Sequence, residues 1–505
     1  MTLLGLDWNA TRVRAVVGPA RDYPLPASLD APHAELALAC DLQQVKPELG
    51  AAALGVSRVR PRTICQGFLP YLAVEAGHGP RWQAGRNELD ARSACEMVWR
   101  RLQPLAASAR GVFMVTPGYF QPAQADTLRR MGELIKLPIL GSLPTPLAIA
   151  LAGHLEQFWS RSTLVLDVDE GALTLGWVKA LDDRAHLLAC RSFSHLGLRF
   201  WRDRLINMLS DLFVFQHRRD PRDVPGAEQS LFDQLDVLAD AALQRRAIQL
   251  GVQGQQWFKH LLVHPEQTSQ FCQVLVNKAV AEVDDLMMTC PTGESPRGIL
   301  LTHEAGRLPG LVEALRTLVR PTFASEPRRV VGGGSEFHGD FGDELLFHED
   351  EPRGVWVLPP EALARSAHSL AESALQGVIQ RGHLETIVPI SVPLAADIGP
   401  PRLHFQGRDF LLRDANFNIG TKFGCQLWLD RADHPDVDAV HCEIVYDRRV
   451  YTMYNHSRDC TLVNDHPVTG SVLLHAGDRI RLGPRGPQAR FLGKTLPRPV
   501  HAVFG

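Results

Sequence analysis

Residues 112–153 read VFMVTPGYFQPAQADTLRRMGELIKLPILGSLPTPLAIALAG, and this run sets the expected architecture. The first four residues are apolar and are followed by Thr, Pro and Gly, which is typical of a buried strand and its turn. Pro122 then begins a run whose apolar residues are three and four positions apart, as on one face of a helix. A second apolar run at 137–140 precedes a new helix start near Pro144. The order strand, helix, strand, helix predicts an α/β layer with a partly parallel sheet.

The same residues resemble a segment of DnaK-type heat-shock chaperones that reads V-P-A-Y-F…A-Q…A-G…N-E-P-T-A-A-A-L-A. Here V-T-P-G-Y-F at 115–120, an Ala-Gln pair, a Gly and P-T-P-L-A-I-A-L-A at 144–152 follow in the same order and spacing. The resemblance implies an α/β actin-like ATPase fold, with duplicated ribonuclease-H-like subdomains, over residues 1–395. An unrelated strand–helix unit is the alternative.

Length and composition favour a soluble globular protein of two to four domains, because 505 residues exceed one ordinary core. The net charge of -3 gives no reason to expect nucleic acid or an anionic membrane as a partner. We expect no leader peptide and no membrane span, since charged residues interrupt every apolar run. The nine cysteines include no Cys-x-x-Cys pair, which predicts free thiols in a reducing cytoplasm and no metal centre.

Near the N-terminus the chain reads LLGLDWNATRVRAVV, a strand, a turn and a second strand. This resembles the first phosphate loop of actin-like ATPases, G-I-D-L-G-T-T-N-S, whose backbone holds phosphates and whose Asp orients magnesium and its water. Gly5, Asp7 and Thr11 stand at matching positions, whereas Asn9 and Ala10 replace a Gly and a Thr. An Asn tolerates the positive φ of a tight turn, but its side chain would crowd a phosphate. A plain hairpin without nucleotide is the alternative.

A second loop, within TLVLDVDEGALTLGWV, resembles the family's D-L-G-G-G-T-x-D-V. Asp167 and Gly171 match, but Asp169 and Glu170 replace two glycines whose N–H groups hold phosphate in the family. Each carboxylate would repel a phosphate charge by roughly 3 kcal/mol at about 5 Å. The substitutions therefore predict a degenerate ATPase in which Asp7 and Asp167 are catalytic remnants.

Two further segments complete the predicted remnant of a nucleotide cleft. S-H-L-G-L-R-F contains Gly197, and G-I-L-L-T-H-E-A-G-R-L-P contains Arg307, both at family positions. The Gly-Gly pair of the family's adenosine loop is here His303–Glu304, which would obstruct a base or ribose. We expect His195 to be structural. A general base formed by His303 and oriented by Glu304 is an alternative.

Other periodicities in this part predict a helix at 87–103, a mostly helical region at 201–288 and a helix at 359–381. Residues 325–357, with G-G-G-S and an acidic run, are predicted to be a loop or insertion. Residues 384–394 are expected to form a closing strand.

From about residue 400 to 505 short strands alternate with turns, which predicts a small β-sandwich. The order N-I-G-T-K…V-D-A-V-H-C-E-I…C-T-L-V-N-D…H-A-G-D-R-I-R-L-G is similar to that of forkhead-associated (FHA) domains. The resemblance implies a phosphopeptide-like surface made by Gly420, Thr421, Lys422, Asp438, His441, Asp459, Thr461 and Asn464.

FHA domains hold phosphothreonine through an Arg, a Ser and an Asn, and the matching residues here are Thr421, Asp438 and Asp459. Each charge-assisted bond lost is worth roughly 1.5–3 kcal/mol. We therefore expect the usual grip to be absent or very weak, with Lys422 replacing the Arg only as a point charge. We expect His441 to brace the loops.

These patterns predict a cytoplasmic scaffold or adaptor that combines a pseudo-ATPase with an FHA-like interaction module and binds proteins, phosphoproteins among them. One alternative is an active switch that binds ATP or ADP with magnesium and relays lobe closure to the FHA-like module. Another is a phosphothreonine reader in kinase signalling.

Overall fold

The computed structural model describes residues 2–20, 24–74, 78–155, 159, 162–181, 184–289, 296, 298–319, 354–390, 401–405, 408–412, 416–447, 450–457, 461–463, 466–474, 478–483 and 486–492. None of the helices in these ranges combines the length and apolar composition that crossing a bilayer requires.

The first part of the chain alternates strands and helices. Its strands are β1 Thr2–Trp8, β2 Arg12–Pro19, β3 Leu25–Pro26, β4 Leu36–Ala37, β5 Ala39–Asp41, β6 Glu48–Leu49, β7 Ile64–Gln66, β8 Trp82–Ala84, β9 Asn87–Leu89, β10 Gly111–Thr116, β11 Ile139–Pro144, β12 Ser162–Val168, β13 Leu173–Leu181, β14 Arg184–Phe193, β15 Ile248–Gln253, β16 Phe258–Val263, β17 Gly298–Leu301, β18 Gly354–Val357, β19 Gly382–His383 and β20 Ile387–Pro389. Its helices are α1 Ala51–Leu54, α2 Ala91–Ala106, α3 Pro122–Leu134, α4 Thr145–Leu155, α5 Leu198–His217, α6 Pro225–Phe232, α7 Leu235–Leu243, α8 Pro265–Thr289, α9 His303–Gly306, α10 Leu311–Val319 and α11 Ala362–Leu375.

Two large sheets repeat one strand arrangement. In the first, β1 pairs antiparallel with β2 and parallel with β10, which pairs parallel with β11. In the second, β12 pairs antiparallel with β13 and parallel with β17, which pairs parallel with β18. Each sheet therefore presents a hairpin beside parallel strands, and we call the halves built on them the first and second lobes.

Helices α4 and α11 lie between the two sheets and share one apolar core with them. Helix α11 packs on β1 so closely that a Cβ at Gly5 would lie 2.0 Å from the Ala364 carbonyl oxygen. The helix is buried along almost its whole length. Outer cores on each lobe contain Trp8 and Trp99 in the first and Trp177 and Trp201 in the second.

The predicted strand–helix–strand–helix order of residues 112–153 is confirmed as β10, α3, β11 and α4. The predicted helix at 87–103 begins later, because residues 87–89 pair with β8 and Asp90 caps the helix by accepting a bond from the Ser93 N–H. The helix predicted at 359–381 is shorter, and Gly377 follows its end with a φ of 74°.

The predicted mostly helical region 201–288 contains α5, α6, α7 and α8, together with the β15–β16 hairpin, which was not predicted. Most of the predicted loop at 325–357 lies outside the described residues, but its last four residues form β18 and complete the parallel pairing of the second sheet. Strand β20 covers part of the predicted strand at 384–394, whose end is outside the described residues.

The C-terminal part contains short strands only, among the residues described. They are β21 Arg402–Phe405, β22 Arg408–Leu411, β23 Asn416–Gly420, β24 Leu427–Trp428, β25 Cys442–Asp447, β26 Val450–Asn455, β27 Thr461–Val463, β28 His466–Pro467, β29 Ser471–Leu474, β30 Arg479–Leu482 and β31 Gln488–Leu492. They form one sheet ordered β22-β21-β31-β30-β27-β28 and another ordered β24-β23-β25-β26-β29. A separate apolar core holds them together, which confirms the predicted β-sandwich.

Candidate functional site

The candidate site lies where the hairpin turns of the two lobes meet. The N–H of Ala10, in the β1–β2 turn, donates to the Asp169 carboxylate across 2.8 Å. The N–H of Glu170, in the β12–β13 turn, donates to the Thr11 hydroxyl across 2.9 Å. The two turns that resemble phosphate loops are thus bonded directly to each other.

Asp169 is the centre of this contact and is 1% exposed. Besides the Ala10 N–H, its carboxylate accepts bonds from the N–H groups of Gly171 at 2.9 Å and Ala172 at 3.0 Å, and from the Tyr119 hydroxyl at 2.8 Å. Burial raises the pKa of Asp169, while the bonds from Ala10 and Tyr119 lower it. Four donors therefore converge on one carboxylate of the protein itself.

The neighbouring turn residues are occupied as well. Asn9 turns its side-chain oxygen back onto the N–H groups of Thr11 and Arg12, at 2.9 and 3.0 Å. Its φ is not positive, so the turn does not use the left-handed conformation that an Asn tolerates. Glu170 forms an ion pair with Arg202 at 2.9 Å.

A buried ion network extends from the turns along the cleft. Arg12 and Arg14 on β2 each bond to one carboxylate oxygen of Glu304, at 2.7 and 2.8 Å. Both also contact Glu35, at 3.0 and 2.8 Å. Burial would raise the pKa of Glu304, but Arg12 and Arg14 lower it to about 2. Because Glu304 belongs to α9 of the second lobe, this network joins the lobes.

Glu304 is therefore engaged with arginines rather than with His303, and the alternative of a general base at His303 gains no support. Burial lowers the pKa of His303, which keeps its ring neutral near pH 7. The short helix α9 is capped by Thr302, whose hydroxyl accepts from the Ala305 N–H.

Asp7 and Asp167, the predicted catalytic remnants, are buried near the network. Asp7 is 3.8 Å from Arg12, and burial raises its pKa to about 6. Asp167 accepts a bond from the Thr302 hydroxyl at 3.0 Å, and burial with the nearby Asp169 raises its pKa. Within the described ranges no set of three His, Cys, Asp or Glu side chains is arranged to hold a metal ion.

These observations test the fit of magnesium and a nucleoside triphosphate, which the resemblance implies. The Ala10 and Gly171 N–H groups already donate to the Asp169 carboxylate. A phosphate that approached these N–H groups would therefore meet the negative charge of Asp169. Glu304 adds a second carboxylate, at the position of the family's adenosine-loop glycine. The residues of this cleft therefore do not fit a nucleoside triphosphate with magnesium.

The other predicted cleft residues, Gly197, Arg307 and Gly5, have different surroundings. Gly197 lies at the cleft, because a Cβ there would be 2.9 Å from the Glu170 carbonyl oxygen. Arg307 lines a cavity of about 70 Å³ beside the ion network and pairs with Asp240 at 2.7 Å. Gly5 lies against α11, and its lack of a side chain permits the packing of α11 on β1.

A second contact between the lobes lies at the rim of the cleft. The Arg58 N–H donates to the Gln229 side chain at 2.7 Å, and the Arg58 guanidinium pairs with Asp203 at 2.8 Å. The same guanidinium lies 4.8 Å from the centre of the Phe232 ring. The cleft is thus bridged at its turns, along its wall and at its rim.

Sequence reasoning missed the arginines and Tyr119. Arg12 and Arg14 alternate with apolar residues, which is the pattern of a solvent-facing side of a strand, yet Arg12 is only 3% exposed. Their partner Glu304 is almost three hundred positions away, so no local pattern reveals the pairs. For Asp169, the only indication in the sequence was that an aspartate stands where the resembled loop has a glycine.

In the C-terminal sandwich, the loop after β23 is held against the segment before β25. The N–H groups of Thr421 and Lys422 donate to the carbonyls of Asp438 and Ala439, at 3.1 and 2.9 Å. A Cβ at Gly420 would lie 2.3 Å from the Ala439 carbonyl oxygen, so only glycine fits there.

His441 is fully buried beneath this loop pair. Its Nδ1 accepts from the Asp438 N–H at 3.2 Å, and its backbone N–H donates to the Ile419 carbonyl at 2.8 Å. Thr461 is buried too, and its hydroxyl donates to Asn455 at 2.7 Å. Asp459 and Asn464 lie outside the described residues, so the weak phosphopeptide grip stays a prediction.

Comparisons with known proteins agree with both parts. Residues 417–483 match the FHA domain family. Over 304 residues the chain is 23% identical to the chaperone protein DnaK of Akkermansia muciniphila, which covers 55% of this chain and 47% of that protein. The DnaK chaperones of Deinococcus deserti and Deinococcus radiodurans are 25% identical over 162 and 170 residues, or 31% and 32% of this chain and 26% and 27% of theirs.

The alignments thus span only about a quarter to a half of these relatives. The similarity to DnaK lies in the N-terminal part, before the FHA match. The chain therefore carries an FHA domain at residues 417–483, preceded by a region with weak similarity to DnaK chaperones.

Proposed function

We propose that this protein is a scaffold in which a DnaK-like ATPase region has become a pseudo-enzyme and an FHA domain contacts partner proteins. The observation that carries the proposal is the Asp169 carboxylate, which accepts the turn N–H groups that would face a phosphate. Asp169 belongs to the chain itself, so it competes with a free nucleotide for these donors as an intramolecular partner.

The assignment of an actin-like ATPase fold to residues 1–395 is part of this proposal. It is supported by the repeated arrangement of the two sheets, with a hairpin and parallel strands in each lobe. The helices between the sheets and the similarity to DnaK point the same way. Fold alone does not carry activity, which depends on the residues of the cleft.

The cleft contacts support a resting state that is closed without a ligand. Nucleotide would normally supply the energy that draws two lobes together, and a ligand shifts such an equilibrium only by binding one state better. Here Glu304 and Arg58 make the bridging contacts instead. We infer that the lobes form a fixed platform rather than a nucleotide-driven switch.

The FHA domain supplies the interaction surface in this proposal. FHA domains are protein-binding modules, so the coarse inference of a protein partner follows from the family match. We place the scaffold in the cytoplasm, which the free thiols of Cys40, Cys65 and Cys95 support.

An assay of phosphate release from magnesium-ATP tests the pseudo-enzyme. We expect the intact chain to release phosphate no faster than an Asp7→Asn, Asp167→Asn variant, because neither preparation has an open phosphate site. Turnover that exceeds the variant's and rises to saturation with ATP would establish the active switch instead.

The FHA match also favours a second candidate, a reader of phosphothreonine. Lys422 is exposed on the loop after β23 and is the available cation at that position. If this candidate is correct, Lys422→Ala abolishes binding of a phosphothreonine peptide library measured by fluorescence anisotropy. Binding that is undetectable, or equal in both proteins, would exclude it.

A further inference from the structure

The β15–β16 hairpin of the second lobe carries an exposed apolar surface that the cleft and the FHA domain do not explain. Phe258 and Leu262 lie on one face of β16 and are 56% and 50% exposed. Phe215, near the end of α5, is 75% exposed. The His217 ring bonds to the His260 carbonyl at 2.8 Å, which joins the end of α5 to this strand. We call residues 215–219 and 258–262 the hairpin patch.

The hairpin patch is also basic. Its ten residues include Arg218, Arg219 and Lys259, two histidines and no acidic residue. No ion pair within the described part of the chain involves these three cations, although Arg219 lies over the Trp257 ring at 5.6 Å. Arg218 and Arg219 follow Phe215 at the end of α5, while Lys259 lies on the other face of β16 from Phe258 and Leu262. An exposed apolar surface with unpaired cations beside it fits an occupant that is acidic and aromatic.

The chain itself contains such a segment, outside the described residues. Residues 336–351 read EFHGDFGDELLFHEDE and contain seven acidic residues, three phenylalanines and two leucines, without Lys or Arg. We propose that the hairpin patch is the docking site for residues 336–351 of the same chain. The proposal does not depend on the state of the nucleotide cleft.

The connection permits this docking. Segment 320–353 leaves α10 after Val319 and re-enters at β18, both in the second lobe. Helix α10 packs against α8, and α8 follows β16 after one residue. The seventeen residues from Val319 to Glu336 give the segment a reach of roughly 55 Å when extended. Docking in cis also costs less than capture of a free partner, because the tether raises the effective concentration.

A fluorescein-labelled peptide of residues 334–352 tests the proposal by anisotropy. The comparison protein is a full-length variant in which the seven acidic residues at 336–351 are replaced by Asn or Gln. We expect the peptide to bind the intact chain at least tenfold more weakly than it binds this variant, because the intact segment already occupies the site. Binding to the variant should weaken as salt rises, because the charges are exposed. Equal affinity for both proteins, or no binding to either, would overturn the proposal.

Substitutions locate the site. In the variant background, Phe258→Ser should reduce peptide affinity at least tenfold, and so should Arg218→Glu at an exposed residue at the end of α5. Val274→Ser, at a residue that is 50% exposed on α8 of the same lobe, is the matched control and should leave peptide affinity unchanged. If Phe258→Ser and Arg218→Glu leave peptide affinity unchanged, the hairpin patch is not the site.

Other occupants give distinct results. A second copy of the chain would make the intact protein sediment as a dimer, whereas docking in cis predicts a monomer over the same concentrations. Co-sedimentation of the intact chain with phosphatidylglycerol vesicles, lost with Arg218→Glu and not competed by the peptide, would assign the patch to an anionic membrane and overturn the proposal.

Discussion

At the scale of single residues, the Asp169 carboxylate joins the β12–β13 turn to the turn of the other lobe. A glycine there offers its N–H to a ligand, whereas the aspartate side chain turns back onto neighbouring N–H groups and the Ala10 N–H of the other lobe. Its four bonds offset only part of the cost of burying the charge, because burial still raises the pKa of Asp169 above its ordinary value.

Replacing Asp169 by Ala should therefore have two effects. The N–H groups of Ala10, Gly171 and Ala172 lose their acceptor, and we expect the free energy of unfolding to fall by about 2–4 kcal/mol. The emptied site should also take up an inorganic anion, so 50 mM phosphate should raise the melting temperature of the variant more than that of the intact protein. Glu170→Gln, which keeps Asp169, is the control, and equal phosphate effects in all three proteins would refute this role.

Asp7 gives a prediction about pH. Its pKa of about 6 lies above the ordinary value of 3.8, so protonation favours the folded state. The stabilisation is complete below pH 3.8 and is lost as the pH rises through 6. Asp7→Asn, which remains neutral, should gain stability relative to the intact protein by up to about 3 kcal/mol between pH 4 and pH 7. Urea unfolding at both pH values measures this gain, and a difference that shrinks with rising pH would contradict it.

At the scale of elements, α9 and β2 are held together by the pairing of Glu304 with two arginines. Glu304→Gln leaves Arg12 and Arg14 with a weaker, neutral partner, and we expect a loss of about 3–5 kcal/mol in the free energy of unfolding. Glu313→Gln on α10 is the control, because it removes only an exposed contact with Arg245 at 3.9 Å. It should change the free energy of unfolding little.

Hydrogen exchange adds a readout specific to the lobes. The β2 and β12 amides should exchange faster in Glu304→Gln but not in Glu313→Gln, because opening of the cleft exposes both hairpins. Unchanged exchange in both variants would show that the network does not hold the lobes together.

The contact between β1 and α11 predicts that replacing Gly5 by Ala destabilises the protein, whereas the same replacement at Gly226 does not. A Cβ at Gly5 meets the Ala364 carbonyl at 2.0 Å, whereas a Cβ at Gly226 in α6 meets nothing within 4 Å. Gly5→Ala should lower the free energy of unfolding by about 2 kcal/mol or more, because the added methyl group overpacks the contact. Gly226→Ala should be neutral or stabilise by up to about 1 kcal/mol, because Ala favours the helix. Thermal unfolding of both variants checks this, and similar melting temperatures would contradict the close packing.

At the scale of the whole molecule, the elements with strong periodicity were predictable. The order from β10 to α4 followed from apolar spacing and proline positions, and the sandwich followed from regular short strands. The hairpin β15–β16 was missed because its apolar residues sit between long helical runs. The close approach of Gly5 to Ala364 was not predictable because the two residues are distant in sequence, and a similar distance hid the pairs of Arg12 and Arg14 with Glu304.

The central claim concerns the cleft, and calorimetric titration of the intact chain with ATP in magnesium tests it most directly. We predict no heat of binding at millimolar ATP, with the same result in EDTA, because Asp169 and Glu304 occupy the cleft. Magnesium-dependent binding at micromolar affinity would contradict the account and would identify the protein as a nucleotide-binding switch.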